Sequence, residues 1–288
     1  MRDGDVTGET FHSPEEAVAA LMVAVEKKDA AGLQRIFGPD SEDLINSGDE
    51  VADAETRRHF LERYTQKHSI EKEAADVAVL HVGDLDWPFP LPIVETEHGW
   101  VFDTESGKEE VIDRRIGHNE LSAIEVCRAY VDAQRQYALV DWDGDGILEY
   151  AQKLRSTPGK RDGLFWEPAP GESESPLGPL FARAEGEGYT LRPPGAEVRP
   201  YHGYFYRVLR AQGPHASGGA FEYMVRDSMM GGFALIAYPA NYGVSGIKTF
   251  IVSHAGLVYE KDLGDETEKV ASEMTLYDPD DSWAPSPQ

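Results

Sequence analysis

The apolar residues change their spacing twice along this chain, and that alternation limits what it can fold into. From Ser13 onward, Ala17, Val18, Leu21, Met22 and Val25 recur at the helical period. Their start signal is Ser13 as cap, Pro14 at the first helical position and Glu16 closing a capping box. Asp29 begins a second short helix through Leu33, Ile36 and Phe37, ended by Gly38-Pro39, and Leu44 and Ile45 sit in another short turn. Glu55 to His68 reads as a further helix, with Phe60, Leu61 and Tyr64 on one face. The spacing then switches to strand-like runs. These are Val77 to Val82, Leu91 to Val94 behind Trp87-Pro88-Phe89-Pro90, and Trp100 to Phe102 behind the His98-Gly99 turn. Helices packed on one face of a curled antiparallel sheet make an α+β roll over residues 12–104, with residues 1–11 as a flexible tail.

The same order then repeats. Residues 105–118 are charged and read as a linker. Behind Asn119, read as a cap, Leu121, Ile124, Cys127, Val131 and Tyr137 share one stripe of a long helix. Residues 167–200 are rich in Pro, Gly and Glu and read as a long surface excursion. Five strand-like runs follow: Tyr204 to Leu209, Phe221 to Val225, Gly232 to Tyr238, Thr249 to Val252 and Leu257 to Tyr259. Gly-containing turns between them suggest an antiparallel meander. Glu266 to Met274 reads as a final helix. The second domain is therefore a long helix on an antiparallel sheet over 119–277, and 278–288 is a loose tail.

Charge excludes several partners. The 27 Lys and Arg against 52 Asp and Glu give a net charge of −25. That opposes duplex nucleic acid and anionic membrane surfaces alike. No apolar run approaches the roughly 18 residues of a membrane helix. A single cysteine, Cys127, excludes an internal disulfide and a cysteine-rich zinc site. The acids are spread along the chain with no acidic tail, as in a solvated surface, a high-salt or extracellular setting, or a protein with a specific cationic partner.

Chemistry concentrates in two loops. In Asp141-Trp142-Asp143-Gly144-Asp145-Gly146, alternate acids around a glycine turn supply the hard oxygens that calcium takes. Position twelve is Gln152 rather than a bidentate Glu, so Glu149 is the fourth candidate ligand; the loop is either a calcium site or an acidic helix-ending turn that binds nothing. The loop from Thr157 to Trp166 sets Lys160, Arg161 and Asp162 beside Trp166. It is either an internally paired structural loop or a recognition loop for an anion or glycan. Cys127 sits on the apolar stripe and reads as a buried thiol. His202, His254 and Ser245 lack the spacing of a catalytic set, and no phosphate loop or dinucleotide fingerprint occurs.

Three resemblances follow. Ser13 to Ala17, with the second helix after Lys28-Asp29, is similar to the opening of the cone-shaped roll of the nuclear-transport-factor-two superfamily. Residues 10–283 resemble a bacterial exported family catalogued as domain of unknown function 2950. The stretches that carry this include Ser47 to Ala52, Trp87 to Pro90, Asn119 to Leu121, Cys127 to Gln134 and Ser156 to Phe165. Gly231 to Leu235, Tyr242 to Gly246 and Val258 to Gly264 complete it. That resemblance implies export behind a signal peptide removed from the chain, a periplasmic or extracellular location, and no transferable catalytic residue. The order of long helix, Ala237-Tyr238-Pro239 turn and Gly246 to Phe250 strand is distantly similar to type IV pilin and pseudopilin heads, without their membrane half-helix.

The expectation is a non-enzymatic exported protein that binds or assembles at the envelope, with an envelope protein or a glycan as partner. The alternative is a hydrolase with its site in a cleft between the two domains.

Overall fold

The structure, a computed structural model, describes residues 8–190 and 198–287. It divides into two compact units, Met1–Arg115 and Ile116–Gln288. Each is α+β.

In the first unit, α1 (Pro14–Glu26) starts where Ser13 accepts the Glu16 N–H, and Glu16 reaches back to the His12 N–H at 2.8 Å. Asp29 caps α2 (Ala30–Phe37), which stops at Gly38 with a φ of 92°. A single turn, α3 (Glu42–Ile45), precedes α4 (Glu50–Gln66). The Ser47 to Ala52 stretch is the start of α4: the Asp49 carboxylate accepts from the Val51 and Ala52 N–H groups. The strands are β1 (His68–Ala74), β2 (Val77–Val82), β3 (Trp87–Pro88), β4 (Ile93–Thr96) and β5 (Gly99–Phe102), all antiparallel, in the order β1-β2-β4-β5 with β3 on β2. α1 and α2 bury Leu21, Val25, Ile36 and Phe37 in one cluster with Leu80, Ile93 and Phe102 of the sheet.

Two expectations change here. β1 has no sequence signal, because its residues are mostly exposed and Ile70 is their one large aliphatic. The N-terminal tail is not loose throughout. Phe11 is buried and exchanges backbone hydrogen bonds with Trp100 at 2.8 Å, which adds an edge pairing to β5. Residues 1–7 lie outside the described residues.

The 105–118 stretch, which contains the boundary between the two units, is helical. α5 (Thr104–Tyr137) gives its residues up to Arg115 to the first unit and the rest to the second. Its charged first turns carry anchored residues among exposed ones. Arg115 donates to the carbonyls of Asp43 and Leu44 at 2.7 and 2.8 Å, and Lys108 donates to the Asp40 carbonyl. Asn119 therefore caps nothing. It is buried and donates its amide to the Ser245 carbonyl at 2.9 Å.

The second unit continues with α6 (Gly178–Gly186) and β6 (Tyr204–Leu209), β7 (Ala211–Gln212), β8 (Phe221–Glu222), β9 (Met224–Val225) and β10 (Ser228–Met229). β11 (Ala234–Pro239), β12 (Lys248–Ser253), β13 (Val258–Asp262), α7 (Thr267–Glu273), β14 (Leu276–Tyr277) and β15 (Ala284–Pro285) complete it. The main sheet runs β15-β13-β12-β11-β6, antiparallel throughout. Ala123, Ile124, Cys127, Tyr130 and Val131 of α5 share its core with Phe233, Leu235, Phe250 and Val252 of the sheet side.

Three readings are corrected in this unit. Phe221 to Val225 is not a strand of the main meander. Tyr223 is drawn fully into the core and splits it, so β8 pairs β7 while β9 pairs β10. The 167–200 excursion contains α6, whose Phe181 stacks on Phe165 at 4.0 Å; residues 191–197 lie outside the described residues. The 278–288 tail is not loose, since β15 pairs β13 and the Ser286 N–H reaches the Val258 carbonyl. Gln288 lies outside the described residues.

Candidate functional site

α5 ends at Tyr137, and the chain is then held at two points. The Trp142 indole N–H donates to the Tyr137 carbonyl at 2.9 Å. Further on, Gln134 pairs with Ala151 in both directions: its Nε2 donates to the Ala151 carbonyl at 2.7 Å and its Oε1 accepts the Ala151 N–H at 2.8 Å. Between these anchors lies the acidic loop.

Asp141 organises that loop. Its Oδ1 accepts the Gly144 N–H at 2.7 Å and its Oδ2 accepts the Gly146 N–H at 2.9 Å. The Gly146 and Gly144 N–H groups hold its carboxyl below the usual carboxylate range. Gly144 and Gly146 take positive φ, 79° and 87°, which L side chains adopt only under strain. Asp145 accepts the Ile147 N–H at 2.8 Å. Carboxylate oxygens of Asp141, Asp143 and Asp145 come within 4.8 Å of one another, the one such acidic, His or Cys group among the described residues. The turn at Gly146 stands where a calcium loop needs its sharp glycine.

Glu149 is not in that group. It is held by the Ser228 hydroxyl and the Met229 N–H, and burial pushes its pKa up. Gln152, at position twelve, donates to the Asp227 carbonyl. Three side-chain carboxylates, backbone carbonyls and water are thus what the loop offers a cation.

The neighbouring loop is tied to this one. The Arg161 guanidinium stacks over Trp142 at 5.2 Å and over Trp166 at 5.5 Å, and it pairs with Glu172 at 2.9 Å. The Tyr137 hydroxyl donates to the Arg161 carbonyl at 2.6 Å. Asp162 turns inward, accepting from the Thr157 N–H at 2.7 Å, the Thr157 hydroxyl at 2.9 Å and Lys153 at 2.7 Å. Burial works against its ionisation, but these donors outweigh burial and hold the carboxyl at about 2. Trp166 is buried, and Lys160 is the one fully exposed member of the four. Most of this loop's polarity is consumed within it.

A pH dependence follows. Asp162 has a folded pKa of about 2 against an ordinary 3.8. Its contribution is fully present above that ordinary value and is lost as the pH falls toward the folded one. Asp162→Asn should melt below the parent at about pH 6, and the gap should close between about pH 4 and pH 2. A gap unchanged across that range in thermal melts would show that the carboxylate's charge is not what orders the loop.

The remaining nucleophile candidates are structural. Cys127 is fully buried, and burial pushes its thiol up to about 12. The Ser245 hydroxyl accepts the Asn241 N–H at 2.9 Å and donates to the Asn241 carbonyl at 3.1 Å, closing its turn. One polar cluster has no counterpart in the sequence reading. His202 Nε2 lies 3.1 Å from Glu187, the Tyr201 hydroxyl donates to the same carboxylate, and the His118 ring meets His202 at 5.6 Å. Its members come from three separate stretches with no common spacing.

A family model described as "Protein of unknown function (DUF2950)" matches residues 8–285. The chain belongs to that family. The match spans the acidic loop, its neighbour and both units. No curated protein and no solved structure matches the chain. Among the described residues, no helix is long and apolar enough to cross a membrane.

Proposed function

We propose that this member of the family is an exported, non-enzymatic protein that binds or assembles at the cell envelope, and that its 141–146 loop holds a calcium ion. The observation that carries the calcium reading is the convergence of Asp141, Asp143 and Asp145 on a loop already locked by Asp141. The acidic composition and the pilin-like order of the second half support an extracytoplasmic binding role. The buried thiol and the self-contained serine turn favour binding over catalysis.

Like charges this close repel one another, and a divalent cation relieves that repulsion. Without a bidentate Glu at position twelve, the expected Kd is on the order of 10⁻⁴–10⁻³ M. At one hundred times Kd, calcium binding adds about 2.7 kcal/mol to the folded state. Calcium should therefore raise the melting temperature of the protein, Asp143→Ala should abolish the rise, and magnesium should do less. Calorimetry at millimolar calcium that shows neither heat nor a melting shift rejects the calcium site.

A further inference from the structure

The acidic loop is bracketed in sequence by exposed aliphatic residues that a cation does not need. Leu139 is 75% exposed, Val140 44%, Ile147 36% and Leu148 57%. The bond from the Gly146 N–H to Asp141 draws the two ends of the loop together, and one aliphatic pair precedes the acids in sequence while the other follows them. Four large aliphatics held in water at one ordered turn mark a contact surface.

Charge decides the occupant. A second copy docked through this patch would set three carboxylates against three more, since a two-fold contact brings the same surface to itself. The chain's net charge of −25 adds to that repulsion. An anionic lipid surface meets the same opposition. A cationic segment with aliphatic anchors satisfies both parts of the surface, its apolar side chains on the exposed aliphatics and its ammonium or guanidinium groups on the acids.

We infer that Leu139, Val140, Ile147 and Leu148 dock a basic amphipathic segment of a partner protein, with Asp143 and Asp145 receiving its cations. This deepens the binding reading above and rests on it, but does not require calcium. Calcium on the loop would cancel part of the attraction, so it acts as a competitor of the docked segment.

The test is fluorescence anisotropy of a labelled helical leucine–lysine peptide, titrated with the full chain in the presence of a chelator. Saturable binding is expected. Leu139→Ser combined with Leu148→Ser should weaken it at least about tenfold, and Asp143→Asn combined with Asp145→Asn should weaken it and flatten its salt dependence. A serine–lysine peptide of equal charge should bind at least about tenfold more weakly. Equal binding of the two peptides, or an unchanged affinity in the leucine variant, overturns the proposal in favour of general attraction to an acidic protein. Phosphatidylglycerol vesicle binding or self-association that the leucine variant abolishes also overturns it. Calcium heat retained without peptide binding removes the docking alone. Peptide binding without calcium heat removes the calcium site alone.

Discussion

Replacing Gln134 by alanine should lower the unfolding free energy by about 3–5 kcal/mol. Gln134 is fully buried, and its amide both donates to and accepts from the backbone of Ala151 while also reaching the Tyr130 hydroxyl at 3.0 Å. Truncation leaves a buried N–H and a buried carbonyl without partners, each worth about 1–3 kcal/mol, and opens a cavity beside them. Gln134→Leu fills the space but restores neither bond, so it should recover only the cavity part. Urea unfolding of the two variants measures this; a loss below about 1 kcal/mol for the alanine variant would mean that Ala151 finds other partners. Because Ala151 ends the segment that begins at the acidic loop, the same variant should also weaken any cation response.

Gly163→Ala should cost about 3 kcal/mol for a different reason. A Cβ there would lie 2.6 Å from the Arg155 carbonyl carbon and the Ser156 nitrogen, both backbone atoms that cannot turn aside. The glycine also exchanges hydrogen bonds with the Ser156 hydroxyl, which accepts its N–H at 3.0 Å and donates to its carbonyl at 3.1 Å. Gly159, in the same loop, is the control. Its φ is 77° and an added methyl group would meet open space, so Gly159→Ala incurs only the left-handed strain of about 1–2 kcal/mol. At roughly 2–4 °C per kcal/mol, the two melting temperatures should be several degrees apart. Equal losses would show that the close approach at Gly163 is not what sets the loop.

What the chain discloses before folding depends on whether a signal is local. The caps at Ser13 and Asp29 are legible because a hydroxyl or carboxylate three residues before an N–H needs nothing else. The stripe of Ile124, Cys127 and Val131 is legible because periodicity is also local. The helical form of 105–118 is hidden because charge looks like solvent until Arg115 and Lys108 find the carbonyls of residues 40 to 44. β1 is hidden for the same reason: its pairing with β2 supplies what its side chains do not. In the candidate site, the three aspartates can be named from spacing. That Glu149 turns away to Ser228, that Arg161 stacks between Trp142 and Trp166, and that Leu139 and Leu148 stay in water all depend on contacts far along the chain.

The stripe on α5 also sets an order of events during synthesis. Ile124, Tyr130 and Val131 leave the ribosome well before residues 204 to 262, which form the strands that share their core. Until β11 and β12 arrive, that apolar surface has no cover of its own, and β15 joins the sheet later still. A nascent chain in this state exposes apolar surface that is prone to aggregate, and pausing translation before residue 204 should prolong that exposure.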